Sequence, residues 1–421
     1  MNKKVYLKYW GCQMNVRDSE VICGFLKKEG YKFTDEPKDA DVILFNTCSV
    51  RQHAEDKVWS EIGRYKARGP SLSLRTNHAR KKIIGVIGCM AQEYKDEIFR
   101  RAPQVDFVVG PSDIAKIPEI VKELCKKQGQ SPKGGDSPRF LYERKIWETD
   151  SNVRPEEIYH TGYYQDKEHA YVVISEGCCN FCSYCVVPYV RGALRNRNYK
   201  DILKEIEEAT DKGITKITLL GQNVNAYVSS SKLKAQSSKL KCKTQNSKEI
   251  DFADLLKLVN EIKGLKEFSF ITSHPKDTSL DLFKAMADSE KLKKYLHLPV
   301  QSGSDKILKL MNRGYTRKFY LDLVENYRKI VRDGVLTTDI IVGFPSEADK
   351  DFQETYNLVK ETQFDAAYIF KYSPRPNTEA LKYADDVKKE EKERRHALIL
   401  DLQKRISTER KAQSGESKVK V

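Results

Sequence analysis

The sequence predicts an α/β protein in which a doubly wound parallel-sheet domain is followed by a partial (β/α)6 TIM-like barrel. Two observations predict this fold. Short apolar runs, often rich in β-branched residues, alternate with charged stretches of helical period, and this alternation stops once and restarts near Ala170. A length of 421 residues is sufficient for two or three domains.

In residues 1–125 the candidate strands are Val5–Trp10, Val42–Phe45, Ile83–Ile87 and Phe107–Val109. Charged stretches such as Asp18–Glu29 and Ala54–Lys66 lie between them and favour connecting helices. Ala67–Arg80 is typical of a loop expansion. Residues 126–160 are predicted to be a linker, because Lys126–Pro138 is rich in Lys, Gly, Ser and Pro.

Residues 161–387 contain six further strand–helix repeats, which predict the barrel core. The candidate strands are Tyr171–Ser175, Ile217–Leu220, Glu267–Thr272, Tyr295–Pro299, Thr337–Val342 and Ala366–Phe370. The helical stretches include Lys200–Asp211, Phe252–Lys263, Leu280–Ala287, Arg317–Arg332 and Lys350–Thr362. In such a barrel the chemistry lies at the carboxyl ends of the strands. A Ser/Lys/Gln-rich tract at 229–249 indicates a disordered insertion, and 388–421 a basic helix and tail.

The composition is that of a globular protein, with 39% hydrophobic and 32% charged residues. No apolar run approaches the roughly 18 residues of a membrane span, and the start lacks a signal-peptide pattern. We therefore expect a cytoplasmic protein that does not bind membranes. The net charge of +15 gives modest support to a polyanionic partner, because much of the excess lies in 229–249 and 388–421. Ten cysteines without an export signal favour metal, cluster or redox chemistry over disulfides.

Cys178, Cys182 and Cys185 form a C-x3-C-x2-C pattern directly after the first barrel strand, and we call them the barrel triad. Three thiolates can hold three irons of a 4Fe–4S cluster and leave the fourth iron open to another ligand. A zinc site would need a fourth ligand at the usual spacing, which is missing. A ferredoxin-type pattern starting at Cys179 would need another cysteine shortly afterwards, and Val186–Arg195 contains none. This cysteine motif, placed after the first strand of a barrel, therefore resembles that of the radical S-adenosylmethionine superfamily.

Cys12, Cys48 and Cys89, which we call the amino-terminal triad, each follow the end of a predicted strand. Because the carboxyl ends of parallel strands share one edge of a sheet, these thiols can converge there. The alternative is three buried structural cysteines, since free cysteine is common in protein cores. The matching positions favour a second iron–sulfur cluster. Cys23, Cys125 and Cys242 lack such placement and are expected to be structural.

The sequence around these cysteines resembles the radical S-adenosylmethionine methylthiotransferases, and among them the branch that modifies tRNA. In the amino-terminal domain the resemblance rests on GCQMN (11–15), NTCSVR (46–51) and GCMAQ (88–92). In the barrel it rests on YCVVPYVRG (184–192), LLGQNVNAY (219–227), SHP (273–275), LHLPVQSGS (296–304), RGYT (313–316), DIIVGFP (339–345) and YSPRP (372–376). It covers about the first 405 residues, apart from the expansions.

The resemblance implies a specific reaction. The barrel triad would hold the cluster that cleaves S-adenosylmethionine to a 5′-deoxyadenosyl radical, and the amino-terminal triad a second 4Fe–4S cluster that carries sulfur. One S-adenosylmethionine would methylate that sulfur, and a second would supply the radical. The methylthio group would enter carbon 2 of N6-isopentenyladenosine at position 37 of tRNA. The expected partners are tRNA, an electron donor such as flavodoxin or ferredoxin, and a sulfur or cluster carrier, with the chain itself monomeric.

Further site residues are predicted from their position after barrel strands. Polar side chains there suit S-adenosylmethionine or the base, although ordinary loop structure is an equal alternative. They are Gln222, Asn223, Gln301, Ser302 and Gly303. We expect Asn46 and Thr47 to support the second cluster, Phe181 and Tyr184 to shield the first, and His274 to be structural or to touch substrate. Arg191, Arg195 and Arg197 form either a solvated face or a phosphate contact.

The sequence departs from the family pattern in two places. After Gly192 the expected acidic residue is missing, since Ala193 and Leu194 follow. Gly415–Val421 resembles only the first strand of the β-domain called TRAM, so we expect a truncated TRAM domain and weak tRNA modification. The competing functions are a sister enzyme that acts on threonylcarbamoyladenosine tRNA or a ribosomal protein, and a non-catalytic iron–sulfur or zinc RNA-binding protein.

Overall fold

The structure, a computed structural model, describes residues 3–49, 52–65, 82–128, 146–149, 154–229 and 249–414. The chain divides into two compact units. The first comprises Met1–Gln165 and Val186–Gly192, and the second Asp166–Cys185 and Ala193–Val421. The predicted expansion at 67–80, nearly all of the predicted insertion at 229–249 with Cys242, and 415–421 lie outside the described residues.

The first unit contains a six-stranded sheet with the order β2-β1-β3-β4-β5-β6, and all paired strands in it are parallel. The strands are β1 (Lys4–Tyr9), β2 (Lys32–Phe33), β3 (Val42–Thr47), β4 (Ile83–Gly88), β5 (Phe107–Val109) and β6 (Ile146–Glu148). Every residue of β3 and β4 is buried, as expected for a sheet covered on both faces. The predicted doubly wound sheet is confirmed.

The helices of the first unit are α1 (Gln13–Lys28), α2 (Gln52–Gly63), α3 (Cys89–Tyr94), α4 (Glu97–Arg101), α5 (Ile117–Gln128) and α6 (Val187–Val190). Ile43, Phe45, Val86, Met90 and Val108 belong to one buried apolar cluster of this unit. In contrast, α1 buries several polar and charged side chains, among them those of Arg17, Asp18 and Glu20. Buried charges need partners, and this helix therefore marks a polar centre within the unit.

The described parts of the segment predicted as a linker, 126–128, 146–149 and 154–160, belong to the first unit. Its strand β6 pairs with β5 in parallel, and α5 extends to Gln128. Arg154 is buried and its Nη1 donates a hydrogen bond to Asp18 Oδ1 at 2.8 Å, while Ile158 and Tyr159 are buried as well. A three-residue strand has no periodicity to detect, which is why the sequence analysis missed β6.

The second unit contains six parallel strands in chain order. They are β7 (His169–Val173), β10 (Lys216–Leu220), β13 (Glu267–Phe270), β14 (Tyr295–His297), β15 (Val335–Val342) and β16 (Ala366–Lys371). Two three-stranded sheets, β7-β10-β13 and β14-β15-β16, are joined by a parallel bridge between Phe268 and Leu292. The predicted partial barrel is confirmed. Two short antiparallel pairs accompany it, formed by β8 (Ser175–Glu176) with β9 (Arg195–Asn196) and by β11 (Val228–Ser229) with β12 (Ile250–Asp251).

The helices that follow these strands are α7 (Tyr199–Asp211), α8 (Phe252–Asn260), α9 (Leu280–Asp288), α10 (Asp305–Leu310), α11 (Arg317–Ile330), α12 (Asp349–Thr362) and α13 (Lys389–Ser414). Side-chain caps explain several helix starts, because an Asn, Asp, Ser or Thr oxygen accepts a backbone N–H of the first turn. These caps are Asn198, Asp251, Ser279 and Thr316.

The last helix, α13, is an integral part of the second unit. Ile399, Leu402 and Ile406 are buried, and Gln403 Nε2 donates a hydrogen bond to Phe364 O at 2.9 Å. Arg410 pairs with the carboxylate before β16, Asp365, at 3.0 Å. Several basic side chains of this helix are therefore used within the unit. Within the described ranges, no helix has the length and hydrophobicity to cross a membrane.

Candidate functional site

The first unit brings the amino-terminal triad to one edge of its sheet. Cys12 lies after β1 and directly before α1, Cys48 follows β3, and Cys89 begins α3 after β4. Since β1, β3 and β4 are neighbouring parallel strands, these three positions lie at adjacent carboxyl ends. A hydrogen bond from Cys48 and the charge of Arg191 lower the pKa of Cys12 to about 6, although burial opposes them. Burial raises the pKa of Cys89.

Two glycines allow the cysteine loops to approach one another. Gly11 has φ +110°, and a Cβ at this position would lie 2.2 Å from Cys48 Cβ. Gly88 has φ +91°, and its Cβ would lie 2.5 Å from Asn46 Oδ1 and 2.6 Å from Thr47 O. Only glycine fits such positions without strain. The dipeptide Gly-Cys occurs at both Cys12 and Cys89, within the segments GCQMN (11–15) and GCMAQ (88–92).

Asn46 and Thr47 brace the loops of the amino-terminal triad. Asn46 Nδ2 donates hydrogen bonds to Asn15 O and Ser19 Oγ, both at 2.9 Å. Thr47 Oγ1 donates to Ile87 O at 2.6 Å, which ties the end of β3 to the end of β4. These two side chains therefore fix the strand ends that carry the cysteines.

A buried charge network lies beside this triad. Asp18 accepts hydrogen bonds from Arg154 Nη1 and Arg191 Nη2, both at 2.8 Å. Arg191 Nη2 also donates to Asn15 Oδ1 at 3.1 Å, and its side chain hydrogen-bonds to Cys89. Two buried arginines thus share one carboxylate, and the charge of Arg191 acts on the thiols of Cys12 and Cys89.

Arg191, Arg195 and Arg197 were expected to form a solvated face or a phosphate contact, and this was wrong for two of the three residues. Arg191 is only 5% exposed and pairs with Asp18. Arg197 is also buried and pairs with Asp201 and Glu205. Neither a solvated face nor a phosphate contact fits side chains whose donors are used internally. The presence of several arginines in a short segment does not reveal which carboxylates they pair with in the fold.

In the second unit the barrel triad lies on the loop that follows β8. Cys185 N donates to Cys182 O at 2.9 Å, which closes a tight turn between two of the three cysteines. Asn180 N donates to Cys178 Sγ at 3.5 Å. Cys179 is exposed, and its Sγ accepts Leu194 N at 3.3 Å. The turn gathers the three thiols of the predicted pattern on one short loop.

Residues from the segment after α10 hold this loop. Asn312 Nδ2 donates to Asn180 O at 3.2 Å and to Phe181 O at 3.0 Å, and Ser183 N donates to Met311 O at 3.0 Å. Phe181 has φ +45° and a side chain that is 51% exposed. That Phe181 shields the cluster stays a prediction.

Arg313 and His274 approach the barrel triad from two sides. Arg313 Nη1 lies 3.2 Å from Cys182 Sγ and 3.2 Å from Tyr184 Oη, and His274 Nε2 lies 3.9 Å from the same sulfur. Burial, helped by the charge of Arg313, lowers the pKa of His274 to about 2, so its ring is neutral. The sequence analysis quoted the RGYT segment without giving Arg313 a role.

The carboxyl ends of β7, β10 and β13 carry buried polar atoms without a partner among the described residues. They are Ser175 Oγ, Asn223 Oδ1 and Ser273 Oγ. Buried polar groups are almost always hydrogen-bonded, so three such atoms at neighbouring strand ends indicate a polar ligand. Asn223 Nδ2 is fixed on Asp277 Oδ2 at 2.6 Å, and Gln222 Oε1 accepts Gly177 N at 2.6 Å. This donor and acceptor set fits the amino and carboxylate groups of S-adenosylmethionine.

The loop after β14, which carries Gln301, Ser302 and Gly303, packs against α12. Ser302 Oγ contacts Thr355 Oγ1 at 3.2 Å, and Gly303 N donates to the same oxygen at 2.9 Å. A Cβ on Gly303 would lie 2.6 Å from the backbone of α12. Ser302 and Gly303 therefore pack the loop on this helix. Gln301 is buried with φ +72°, and its N donates to Asp339 O at 2.9 Å.

Within the described residues, no three His, Cys, Asp or Glu side chains form a site for a single metal ion. Each cysteine of a 4Fe–4S cluster binds a different iron, so a cluster does not require convergence on one ion. The donor set is thiolate-only in both triads, which suits an iron–sulfur cluster. Each triad also has a buried arginine beside one of its cysteines, Arg191 in the first unit and Arg313 in the second.

Comparisons with known proteins agree with the division of the chain into two units. The uncharacterized protein family UPF0004 matches residues 4–110, and the radical SAM superfamily matches residues 172–359. A tRNA-2-methylthio-N6-dimethylallyladenosine synthase from Thermoanaerobacter sp. (strain X514) is 41% identical over 417 residues, covering 98% of this chain and 80% of the relative. The enzyme of the same name from Clostridium botulinum (strain Hall) is 40% identical and covers 98% and 84%.

Among solved structures, the radical S-adenosylmethionine methyltransferase TsrM from Kitasatospora setae is similar, with a TM-score of 0.55. The match covers 90% of this chain and 77% of that one at 12% sequence identity. At this identity the likeness concerns the fold alone. It supports the succession of a parallel-sheet domain and a partial barrel in one chain.

Proposed function

This chain belongs to the tRNA-2-methylthio-N6-dimethylallyladenosine synthase family, and from that premise we propose that it places a methylthio group on carbon 2 of N6-isopentenyladenosine at position 37 of tRNA. Its radical SAM domain takes a 4Fe–4S cluster and S-adenosylmethionine. We assign the ligands of that cluster to Cys178, Cys182 and Cys185. We further propose a second 4Fe–4S cluster on Cys12, Cys48 and Cys89.

The chain's own residues bind and orient these groups. When bound, the two clusters and S-adenosylmethionine supply the hydrogen-abstracting radical, the inserted sulfur and its methyl group. Ser175, Asn223 and Ser273 offer their unpartnered oxygens to the polar end of S-adenosylmethionine. Gln222 holds the backbone of Gly177, directly before the barrel triad, and so keeps the loop in place.

One observation carries the proposal. Both cysteine triads are present in a chain that is 41% identical to a family member over 98% of its length. In the first unit the three cysteines lie at adjacent strand ends, and in the second they share one short loop. This supports two cluster sites rather than one.

The test begins with anaerobic reconstitution of the full chain and measurement of iron, acid-labile sulfide and zinc. We expect about eight irons per chain, the content of two 4Fe–4S clusters. The loaded protein is then incubated with S-adenosylmethionine, a reductant and tRNA that contains N6-isopentenyladenosine, and the digested nucleosides are analysed by mass spectrometry. The expected product is the 2-methylthio nucleoside.

Other outcomes would identify the competing functions. A product formed only with threonylcarbamoyladenosine tRNA or with a ribosomal protein would reveal a sister enzyme. Full cluster content without cleavage of S-adenosylmethionine would favour a non-catalytic RNA-binding protein. Zinc with little iron would overturn the cluster assignment.

The proposed reaction also requires partners. One-electron reduction calls for flavodoxin or ferredoxin, and each turnover consumes sulfur that a sulfur or cluster carrier must restore. We propose that the chain acts as a cytoplasmic monomer on tRNA. Sedimentation of the reconstituted protein, with and without tRNA, tests the monomer.

A further inference from the structure

The guanidinium of Arg313 is buried, and no carboxylate among the described residues lies beside it. The side chain is 4% exposed, and the groups that act on its charge in the described part of the chain are Tyr184, Tyr315 and Cys182. A buried charge is costly unless an opposite charge and hydrogen bonds compensate it. Of these three groups, Cys182 is the proposed cluster ligand, and a cysteine sulfur bound to an iron–sulfur cluster carries negative charge.

The direction of the guanidinium is fixed by all three of its nitrogens. Nη2 donates to Pro299 O at 2.7 Å, and Nε donates to Tyr315 Oη at 3.0 Å. Nη1 points to Cys182 Sγ and Tyr184 Oη, each at 3.2 Å. Tyr315 Oη in turn donates to Val300 O at 2.8 Å. With its other donors held by fixed oxygens, Arg313 presents one N–H group to the sulfur.

His274 adds a neutral donor on the same sulfur. Its Nδ1 accepts a hydrogen bond from Lys276 N at 3.2 Å, so the proton of the neutral ring lies on Nε2. That Nε2 lies 3.9 Å from Cys182 Sγ. The backbone of His274 is held by Asn225, whose Oδ1 accepts His274 N at 2.9 Å. Two N–H groups from separate loops therefore converge on one thiol.

We propose that Arg313, assisted by His274, is a positioning residue that fixes the Cys182 thiolate and offsets the negative charge of the cluster on the barrel triad. Hydrogen bonds to the cysteine sulfurs and nearby positive charge make an iron–sulfur cluster easier to reduce. The residue thereby favours the one-electron reduction that precedes radical formation. This inference rests on the cluster assignment of the proposed function and not on the identity of the RNA substrate.

The test is a redox titration of the reconstituted full chain, followed by electron paramagnetic resonance. The signal that changes on addition of S-adenosylmethionine identifies the barrel cluster. In Arg313→Met we expect a more negative midpoint potential, with the ratio of reduced to oxidised cluster at a fixed potential falling by about tenfold, because the reduced cluster carries one more negative charge and loses more interaction with the guanidinium than the oxidised cluster does. Arg313→Lys keeps the charge and should retain most of the native potential.

Arg328→Met is the matched control, because it removes an arginine of the same unit that hydrogen-bonds to Thr362 O and Gln363 O and not to the barrel triad. Its midpoint potential should stay near that of the native chain. Equal potentials for Arg313→Met and the native chain at equal iron content would overturn the proposal, and so would an equal shift in Arg328→Met. If Arg313→Met does not retain iron, His274→Phe decides, with a smaller negative shift expected and no shift contradicting the proposal. Failure to modify tRNA with a normal Arg313 effect would count against the proposed substrate alone.

Discussion

At the scale of single residues, the amino-terminal triad depends on a glycine, which has no side chain. Gly11 has φ +110°, and any Cβ there would overlap the Cβ of Cys48 at 2.2 Å. Gly11→Ala should therefore displace Cys48 and reduce the iron content to about four per chain, one cluster. Gly30→Ala is the matched control, because Gly30 also has a positive φ of +83° but no atom within 4 Å of its Cβ position. Equal iron in the two variants would contradict this account.

Asp18 gives a residue-scale prediction about pH. Burial alone would raise the pKa of its carboxyl, but the guanidinium groups of Arg154 and Arg191 outweigh it and lower the pKa. A lowered folded-state pKa stabilises the protein above the unfolded value of about 3.9, and this stability is lost as the pH falls through the folded-state pKa. Asp18→Asn should destabilise the fold by about 3–5 kcal/mol at pH 7.

Urea unfolding at several pH values measures this effect. The difference between the native chain and Asp18→Asn should shrink on acidification below about pH 4, because the native carboxyl is then protonated as well. Glu29→Gln serves as control, since Glu29 forms an exposed pair with Lys122 at 3.7 Å. Its loss should cost less than about 1 kcal/mol. A constant difference for Asp18→Asn across pH would show that charge is not the cause.

At the scale of elements, the ends of β7, β10 and β13 make a testable ligand site. Ser273 Oγ is buried without a partner in the described structure, so Ser273→Ala should leave the unfolding free energy unchanged or raise it. The same change should weaken S-adenosylmethionine binding by about tenfold, because the ligand loses a hydrogen bond to a charged group. Equilibrium dialysis with the reconstituted protein measures the affinity.

Ser302→Ala is the control for Ser273→Ala, because the hydroxyl of Ser302 has hydrogen-bond partners within the protein. Ser302 Oγ contacts Thr355 Oγ1 and accepts Ser304 N, both at 3.2 Å, so its removal should destabilise the loop and leave the affinity unchanged. If Ser273→Ala raised stability but did not alter binding, the unpartnered hydroxyl would be only a packing defect.

Elements also show what the sequence could predict. Strands β3 and β4 each contain an unbroken apolar run. The residues Asn-Thr-Cys after the first run and Gly-Cys after the second placed Cys48 and Cys89 at strand ends. The three-residue β6 has too few residues for a period. The contact between Arg313 and Cys182 joins positions 131 residues apart, and no local spacing encodes such a pair. Tertiary partners of arginines were therefore the part that sequence could not predict.

At the scale of the whole molecule, each triad has its own supports within its own unit. The amino-terminal triad uses Asn46, Thr47 and Arg191, whereas the barrel triad uses Asn312 and Arg313. Cys182→Ala should therefore remove about half of the iron and abolish cleavage of S-adenosylmethionine, with the remaining cluster intact. Iron and sulfide analysis with electron paramagnetic resonance measures both effects.

The neighbouring Cys179 is the matched control. It is exposed and hydrogen-bonds only a backbone N–H in the described structure, so Cys179→Ala should keep full iron and normal cleavage. Loss of all iron in Cys182→Ala would mean that the two triads are interdependent. Loss of iron in Cys179→Ala would revise the assignment of the loop.

The short helix α6 affects how the protein can be dissected. It follows the barrel triad in the chain, yet Val186–Gly192 belongs to the first unit, where Val186 and Val190 pack with Cys89. A fragment that stops at Gln165 lacks this apolar cover and also lacks Arg191, leaving Asp18 with Arg154 as its remaining buried cation. A single cut in the chain therefore cannot yield an intact amino-terminal half, and a split protein must supply α6 in trans.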